Sequence, residues 1–252
     1  MRLATFNILH GRSIVDDRVD LERFAAAIRS LDADILALQE VDCDQPRSQL
    51  ADLTAVAAEA TGARAHRFVA AVAGTPGATW MAATGDEQPG SAAYGIALLS
   101  RYPVSSWQVV RMPPIPFRFP MWLPGPRKVL LVKEEPRVAL VAAVRTPLGC
   151  ITVVNTHLSF VPGWNRVQLR RLRRDLAVFA DPLILMGDLN LPAPLPARLT
   201  GWTALADGPT FPLAAPERQL DHVLVRGELP PVRSCEIREL PLSDHRAVVV
   251  DV

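Results

Sequence analysis

Apolar residues recur along this chain at two periods. Residues 3–9, 34–41, 66–73, 92–99, 104–110, 138–144, 151–156, 183–186, 223–225 and 247–252 are short runs rich in apolar and β-branched side chains. Such runs predict strands buried within sheets. Leu21, Phe24, Ala25, Ile28 and Leu31 instead recur at helical spacing, with Asp20 placed as the N-cap. A second helix is predicted over about residues 48–60, with Leu50, Leu53, Val56 and Ala60 on one side and Gly62 as its C-cap. A third is predicted over 164–179, with Val167, Leu169, Leu172, Leu176 and Phe179 as its core stripe. The first strand, first helix and second strand fit a parallel crossover. Strands outnumber helices, and there is no internal repeat or low-complexity linker. The pattern predicts an α/β fold of two packed sheets covered by helices.

Prolines interrupt the pattern twice. Residues 113–126 hold Pro113, Pro114, Pro116, Pro120, Pro124 and Pro126, with Phe117, Phe119, Met121 and Trp122 among them. Residues 192–216 are also proline-rich. Proline cannot serve in a central strand, so both segments read as surface loops.

Composition narrows the class. The 252 residues are 49% hydrophobic, enough for a sizeable core. The formal net charge is +1, so a polyanionic partner would have to meet a local patch. Five arginines (Arg166, Arg170, Arg171, Arg173 and Arg174) on the third helix form one such patch, which also reads as a solvated helix face. The proline-aromatic loop, flanked by Arg111, Arg118, Arg127 and Lys128, is a second candidate surface for lipid or bases. Cys43, Cys150 and Cys235 lack paired spacing, which argues against a disulfide framework. Cys150 and Cys235 read as small core residues. With no signal-peptide layout and no apolar run near ~20 residues, a cytoplasmic protein without a transmembrane segment is expected.

Polar residues gather where the apolar runs stop. The clusters are Thr5-Phe6-Asn7, Leu38-Gln39-Glu40, Asn155-Thr156-His157, Gly187-Asp188-Leu189-Asn190 and Ser243-Asp244-His245. A sixth, Leu220-Asp221-His222, leads into Val223-Leu224-Val225. Asp188 and Asn190, two residues apart, leave a strand end on the same side. One can take a proton from water while the other orients that water or a phosphate oxygen. A hard divalent cation needs only one or two carboxylates beside its own waters, and Glu40 closes a buried run.

Taken in order, these six clusters resemble the endonuclease/exonuclease/phosphatase superfamily, the deoxyribonuclease-like metal-dependent hydrolases, in a form of bacterial type. The resemblance runs from Asn7 to His245. It implies a four-layer α/β sandwich, two mostly antiparallel sheets flanked by helices, in one domain over 1–252. It implies Mg2+ (or Mn2+) held by Glu40, with Asn7 and Asp244 completing the shell. Asp188 becomes the base or water-orienting group, helped by Asn190. His245, oriented by Asp221, and His157 are placed on the phosphate. Tyr94, Asn155 and Arg137 are candidates for substrate contact. His222 is expected to pack between the sheets, and His10 and His66 are unassigned.

The implied activity is phosphoester hydrolysis, as a phosphodiesterase or nuclease. A sphingomyelinase-like phospholipid phosphodiesterase, a phosphatase and an inactive phosphate-binding module are the other readings. Leu-Gln-Glu-Val-Asp and His157 depart from the pattern of base-excision endonucleases. Arg218-Gln219-Leu220-Asp221-His222 departs from that of inositol-polyphosphate phosphatases, and Ser159 from that of sphingomyelinases. The substrate therefore stays open between nucleic acid and a phospholipid or small phosphodiester. No obligate protein partner is indicated.

Overall fold

Alternating apolar positions build two sheets that stack face to face. The computed structural model describes residues 1–88, 90–122, 129–132 and 134–252, and the side chains of these except 119–122 and 129–132. In chain order the first half contains β1 (Arg2–Asn7), α1 (Leu21–Ser30), β2 (Ile35–Cys43), α2 (Leu53–Thr61), β3 (Ala65–Gly74), β4 (Trp80–Ala82), β5 (Ala93–Ser100), β6 (Val104–Met112), β7 (Phe119–Trp122) and β8 (Val129–Val132). The second half contains β9 (Arg137–Thr146), β10 (Gly149–His157), α3 (Trp164–Asp175), β11 (Leu183–Asp188), α4 (Leu195–Thr200), β12 (Thr203–Ala204), β13 (Asp221–Arg226), β14 (Ser234–Arg238) and β15 (Ala247–Asp251).

The first sheet has seven strands in the order β14-β15-β1-β2-β5-β3-β4, and the second has six in the order β12-β13-β11-β10-β9-β6. Each has one parallel pair, β1 with β2 and β10 with β11; every other named neighbour is antiparallel. Helices α1 and α3 make the two crossovers that those parallel pairs require. The result is the expected four-layer α/β sandwich.

Inward-facing residues of both sheets form the central core, including Leu3, Ile35, Leu98, Leu140, Ile151, Ile184 and Val248. Phe24 and Ile28 from α1, with Leu31 at its C-cap, cover the outer side of the first sheet over Phe6, Leu36 and Leu38. Leu169, Leu172 and Leu176 do the same over Val154, Leu185 and Leu224 of the second. Full burial of each such side chain contributes roughly 1.5–3 kcal/mol. Asp20 caps α1 by accepting from the Arg23 amide, and Gly62 ends α2 in the left-handed region at φ 66°. The Asp251 carboxylate takes both ends of the Arg2 guanidinium, at 3.0 and 2.9 Å, and clamps β15 to β1.

Several sequence expectations change. Residues 119–122 form a strand paired with β8 in a two-stranded ribbon outside both sheets. A ribbon has only edges, which is where Pro120 is tolerated. Residues 123–128, including Pro124, Pro126, Arg127 and Lys128, lie outside the described residues. The second proline-rich segment contains α4, because proline in a first helical turn costs no hydrogen bond. Helix α2 starts at Leu53 rather than near 48, where Asp52 caps it. Cys150 and Cys235 are exposed, one beside the β9–β10 turn and the other on the edge strand β14. No helix among the described residues is long and apolar enough to cross a membrane.

Candidate active site

Strand register assembles the site. Across the second sheet His157 pairs with Asp188, and Asp188 pairs with Asp221. These three side chains therefore stand in one row at one end of the sandwich. Gly187 makes the row possible. Its φ is 141°, and a Cβ there would lie 1.9 Å from the Thr156 carbonyl oxygen. After Asp188 the chain turns, with the Asn190 amide donating to Asp188 Oδ1 at 2.9 Å. Asn190 sits at φ 50°, a region asparagine tolerates, and Asn165 of α3 donates to its carbonyl at 2.8 Å.

The first sheet brings the opposite wall. Asn7 pairs with Gln39 across the β1–β2 ladder. The β2–β5 register then slips between Gln39 and Val41, and Glu40 is the extra residue at φ 57°. This bulge turns the Glu40 carboxylate toward the cleft. Asn7 Nδ2 donates to Glu40 Oε1 and to Asp188 Oδ2, both at 3.1 Å, so one amide ties the two sheets' carboxylates together. Ser243 Oγ donates to the Asn7 carbonyl at 2.6 Å and accepts from the His245 amide at 3.1 Å. That turn seats Asp244, half buried, and His245, buried, beside the same cleft.

Electrostatics separates the groups by role. Burial pushes the Asp188 carboxyl up to about 7, against the pull of the His245 charge. His245 feels burial as an opposing force, yet Asp221, Asp188 and Asp244 outweigh it and raise its pKa to about 10. Its Nδ1 donates to Asp221 Oδ2 at 2.8 Å, and its Nε2 lies 3.8 Å from Asp188 Oδ2. His157 goes the other way. Burial, then the charges of Arg137 and His245, hold it well below the usual histidine range. Arg137 Nη1, a donor only, contacts His157 Nδ1 at 3.3 Å, and His157 Nε2 meets the Asn190 side-chain Nδ2 at 3.2 Å and Asp188 Oδ2 at 3.5 Å.

Two oxygen-rich clusters could meet a cation. Asp188, Asp221 and His245 offer ligand atoms within 4.8 Å of one another. There, however, the imidazolium already fills the space between the carboxylates, and a protonated histidine is not a ligand. Glu40 is the better anchor. Burial and the neighbouring charge of Asp244 both raise its carboxyl pKa, with only the Asn7 amide and more distant cations opposing. A part-buried carboxylate that lacks full compensation, with oxygen donors beside it, suits a hard divalent ion.

Two lobes open from this row. One, of about 440 Å³, is lined by Glu40, Trp80, Tyr94, Glu134, Arg137 and His157, among others. Tyr94 is buried with the Arg47 guanidinium 5.5 Å from its ring centre, and Arg47 in turn forks onto Asp42 at 2.8 and 2.7 Å. Arg137 is 5% exposed, and among the described residues it has no ion-pair partner. The other lobe, about 340 Å³, opens between α3 and the 211–218 turn. Phe160, Asn190 and His245 line both.

Two predicted residues fall elsewhere. Asn155 is fully buried between the sheets, where its Nδ2 donates to the Leu38 and Ala97 carbonyls at 2.8 and 2.7 Å. Its Oδ1 accepts from Gln39 at 2.7 Å, so both amide hydrogens are spent on the opposite sheet. His222 alternates with Asp221 and Val223, so it faces the outer layer, not the space between the sheets, and contacts the Leu191 carbonyl at 2.8 Å. Sequence reasoning missed Trp80, Glu134, Glu135, Phe160 and Phe211. No motif surrounds them; Trp80 reaches the cleft from the start of β4 and the others from loops. The Phe211 ring stands 4.8 Å from that of His245.

A model of the endonuclease/exonuclease/phosphatase family matches residues 4–245. No curated protein sequence matches the chain. Among solved structures, an endonuclease/exonuclease/phosphatase from Beutenbergia cavernae DSM 12333 is 26% identical with a TM-score of 0.69, over 99% of this chain and 70% of that one. Sphingomyelinase C from Streptomyces griseocarneus is 16% identical with a TM-score of 0.62, over 99% and 98%. Truncated Caenorhabditis elegans TDP2 is 18% identical with a TM-score of 0.58, over 99% and 95%. The last two likenesses concern the fold.

Proposed function

The chain belongs to the endonuclease/exonuclease/phosphatase family, and from that premise we propose that its cleft hydrolyses phosphodiesters with a bound divalent cation, Mg2+ or Mn2+. The observation that carries the reading is the Asn7 amide, which joins Glu40 of one sheet to Asp188 of the other beside two oppositely tuned histidines. Glu40, with Asn7 and Asp244, would hold the cation, whose role is to neutralise charge on the phosphate oxygens. Asp188 sits near neutrality and takes the proton of the attacking water. Such assistance is typically worth about 10²–10⁴-fold. The Asn190 side chain is near enough to His157 to share the water or a phosphate oxygen. His245, held cationic by Asp221, faces the negative charge that develops on the phosphorus oxygens. Arg137 and neutral His157 line the same wall; Arg137 adds a buried positive charge for the ester, and Tyr94 bounds its far side.

The test uses purified protein on bis-p-nitrophenyl phosphate, single- and double-stranded DNA, RNA and sphingomyelin, with Mg2+ or with EDTA. Turnover is expected with Mg2+ and not with EDTA. It is expected to collapse in Asp188→Asn and in His245→Ala while both variants remain folded. Turnover that survives EDTA or either substitution refutes the mechanism.

A further inference from the structure

The two lobes of the cleft carry opposite charge. Glu134 and Glu135 line the larger one, beside Trp80 and Tyr94. Among the described residues no acidic side chain lines the smaller lobe, whose cations are Arg166, Arg218 and the shared His245. Both arginines are exposed, and neither has an ion-pair partner among the described residues. Arg218 lies 5.1 Å over the ring of Phe211. Phe160, 43% exposed, forms the partition between the lobes.

Helix α3 extends this basic wall away from the cleft. Arg166, Arg170 and Arg173 or Arg174 recur at spacings of three and four, and so share one side of the helix. Arg171 is paired with Asp175 at 3.8 Å, but among the described residues the stripe from Arg166 through Arg170 and Arg174 has no acidic partner. The net charge of the whole chain is only +1, so this stripe is a local concentration and not a consequence of general basicity.

Resting on the reading of the cleft as a phosphodiesterase centre, we infer that the Arg166–Arg218 lobe is a subsite for a second phosphate and its base, so that the substrate is a single-stranded nucleic acid. A strand supplies repeated phosphates for the arginines and a planar base for the exposed Phe160, while Phe211, packed between Arg218 and His245, holds the Arg218 guanidinium in place. Glu134 and Glu135 disfavour a second phosphate in the larger lobe, where Arg137 serves the scissile ester, so the charged continuation of the strand lies toward Arg166 and Arg218. A phospholipid diester with one phosphate and a cationic headgroup has nothing to offer the arginine pair.

The test compares wild type with Arg166→Ala/Arg218→Ala, both exposed positions. In EDTA, binding of a fluorescein-labelled oligothymidylate is followed by anisotropy at several salt concentrations. The double variant should bind at least about tenfold more weakly, and its salt slope should fall by about 1–2. With Mg2+, the ratio of kcat/KM for oligothymidylate over bis-p-nitrophenyl phosphate should fall by a similar factor. Unweakened binding overturns the subsite, as does a preference of the wild type for sphingomyelin vesicles that the substitutions leave intact. Weakened binding without turnover on any diester instead keeps the subsite and removes the phosphodiesterase reading.

Discussion

Replacing Asn155 by alanine tests how the site is supported. In the structure this residue braces the sandwich and does not touch the cleft. The substitution deletes three buried hydrogen bonds, from Gln39 and to the Leu38 and Ala97 carbonyls, at 2.7, 2.8 and 2.7 Å. Gln39 keeps a partner in Thr5 at 3.1 Å, so its loss is partial. At about 1 kcal/mol for each bond, with more for poorly hydrated groups and the gap left behind, the sum is about 4 kcal/mol. For a chain of this size that corresponds to a fall in Tm of roughly 8–16 °C. Gln39 adjoins Glu40 at the bulge, so a loosened brace also disturbs the carboxylate, and kcat should fall with little change in KM. Thermal unfolding and steady-state kinetics on bis-p-nitrophenyl phosphate measure both effects. A variant as stable as wild type whose KM alone rises would show that Asn155 contacts the substrate, and the brace would be wrong.

Two further outcomes follow from local geometry. Gly187→Ala should lower stability and activity together, because its Cβ meets the Thr156 carbonyl at 1.9 Å in a backbone region alanine avoids; chemical denaturation and turnover read both. The Arg2–Asp251 clamp should show in the pH dependence of stability. Its hydrogen bond with Arg2 holds the Asp251 carboxyl down at about 2, against an ordinary 3.8. A depressed carboxyl stabilises the fold above the unfolded pKa and loses that contribution as pH falls through the folded one. The shift corresponds to about 2 kcal/mol at face value and about 1 kcal/mol after solvent screening of this part-exposed pair. The Tm gap between wild type and Asp251→Asn should therefore be full above about pH 5 and close toward pH 2. A gap that widens on acidification would contradict the assignment.

Most of the architecture was legible because it depends on local patterns. The Asp20 cap, the strand runs, the parallel crossover at β1–β2 and the strand-end position of Asn7, Asp188 and His245 need only periodicity and neighbours in sequence. What was not legible depends on stacking and register. Glu40 reaches the cleft through a bulge that exists only once β2 pairs with β5. Asn155 looks like a site residue in a Asn-Thr-His run, yet strand alternation sends it into the space between the sheets. Alternation likewise turns His222 outward, although its neighbour Asp221 faces the site. Cys150 and Cys235 read as core residues but sit where the sheets run out of cover, beside a turn and on an edge strand. The charge contrast between the two lobes joins Glu134 and Glu135 with Arg166 and Arg218, from three separate segments, and no short motif encodes it.

The central claim divides the labour between Glu40 and Asp188, and a metal titration of turnover tests it most directly. Bis-p-nitrophenyl phosphate hydrolysis would be followed against Mg2+ concentration for wild type, Glu40→Gln and Asp188→Asn. The account predicts that Glu40→Gln raises the Mg2+ concentration needed for half-maximal rate. It predicts that Asp188→Asn lowers the rate at saturating Mg2+ by about 10²–10⁴-fold with that concentration little changed. The same response in both variants, or a shift in metal requirement confined to Asp188→Asn, would contradict it.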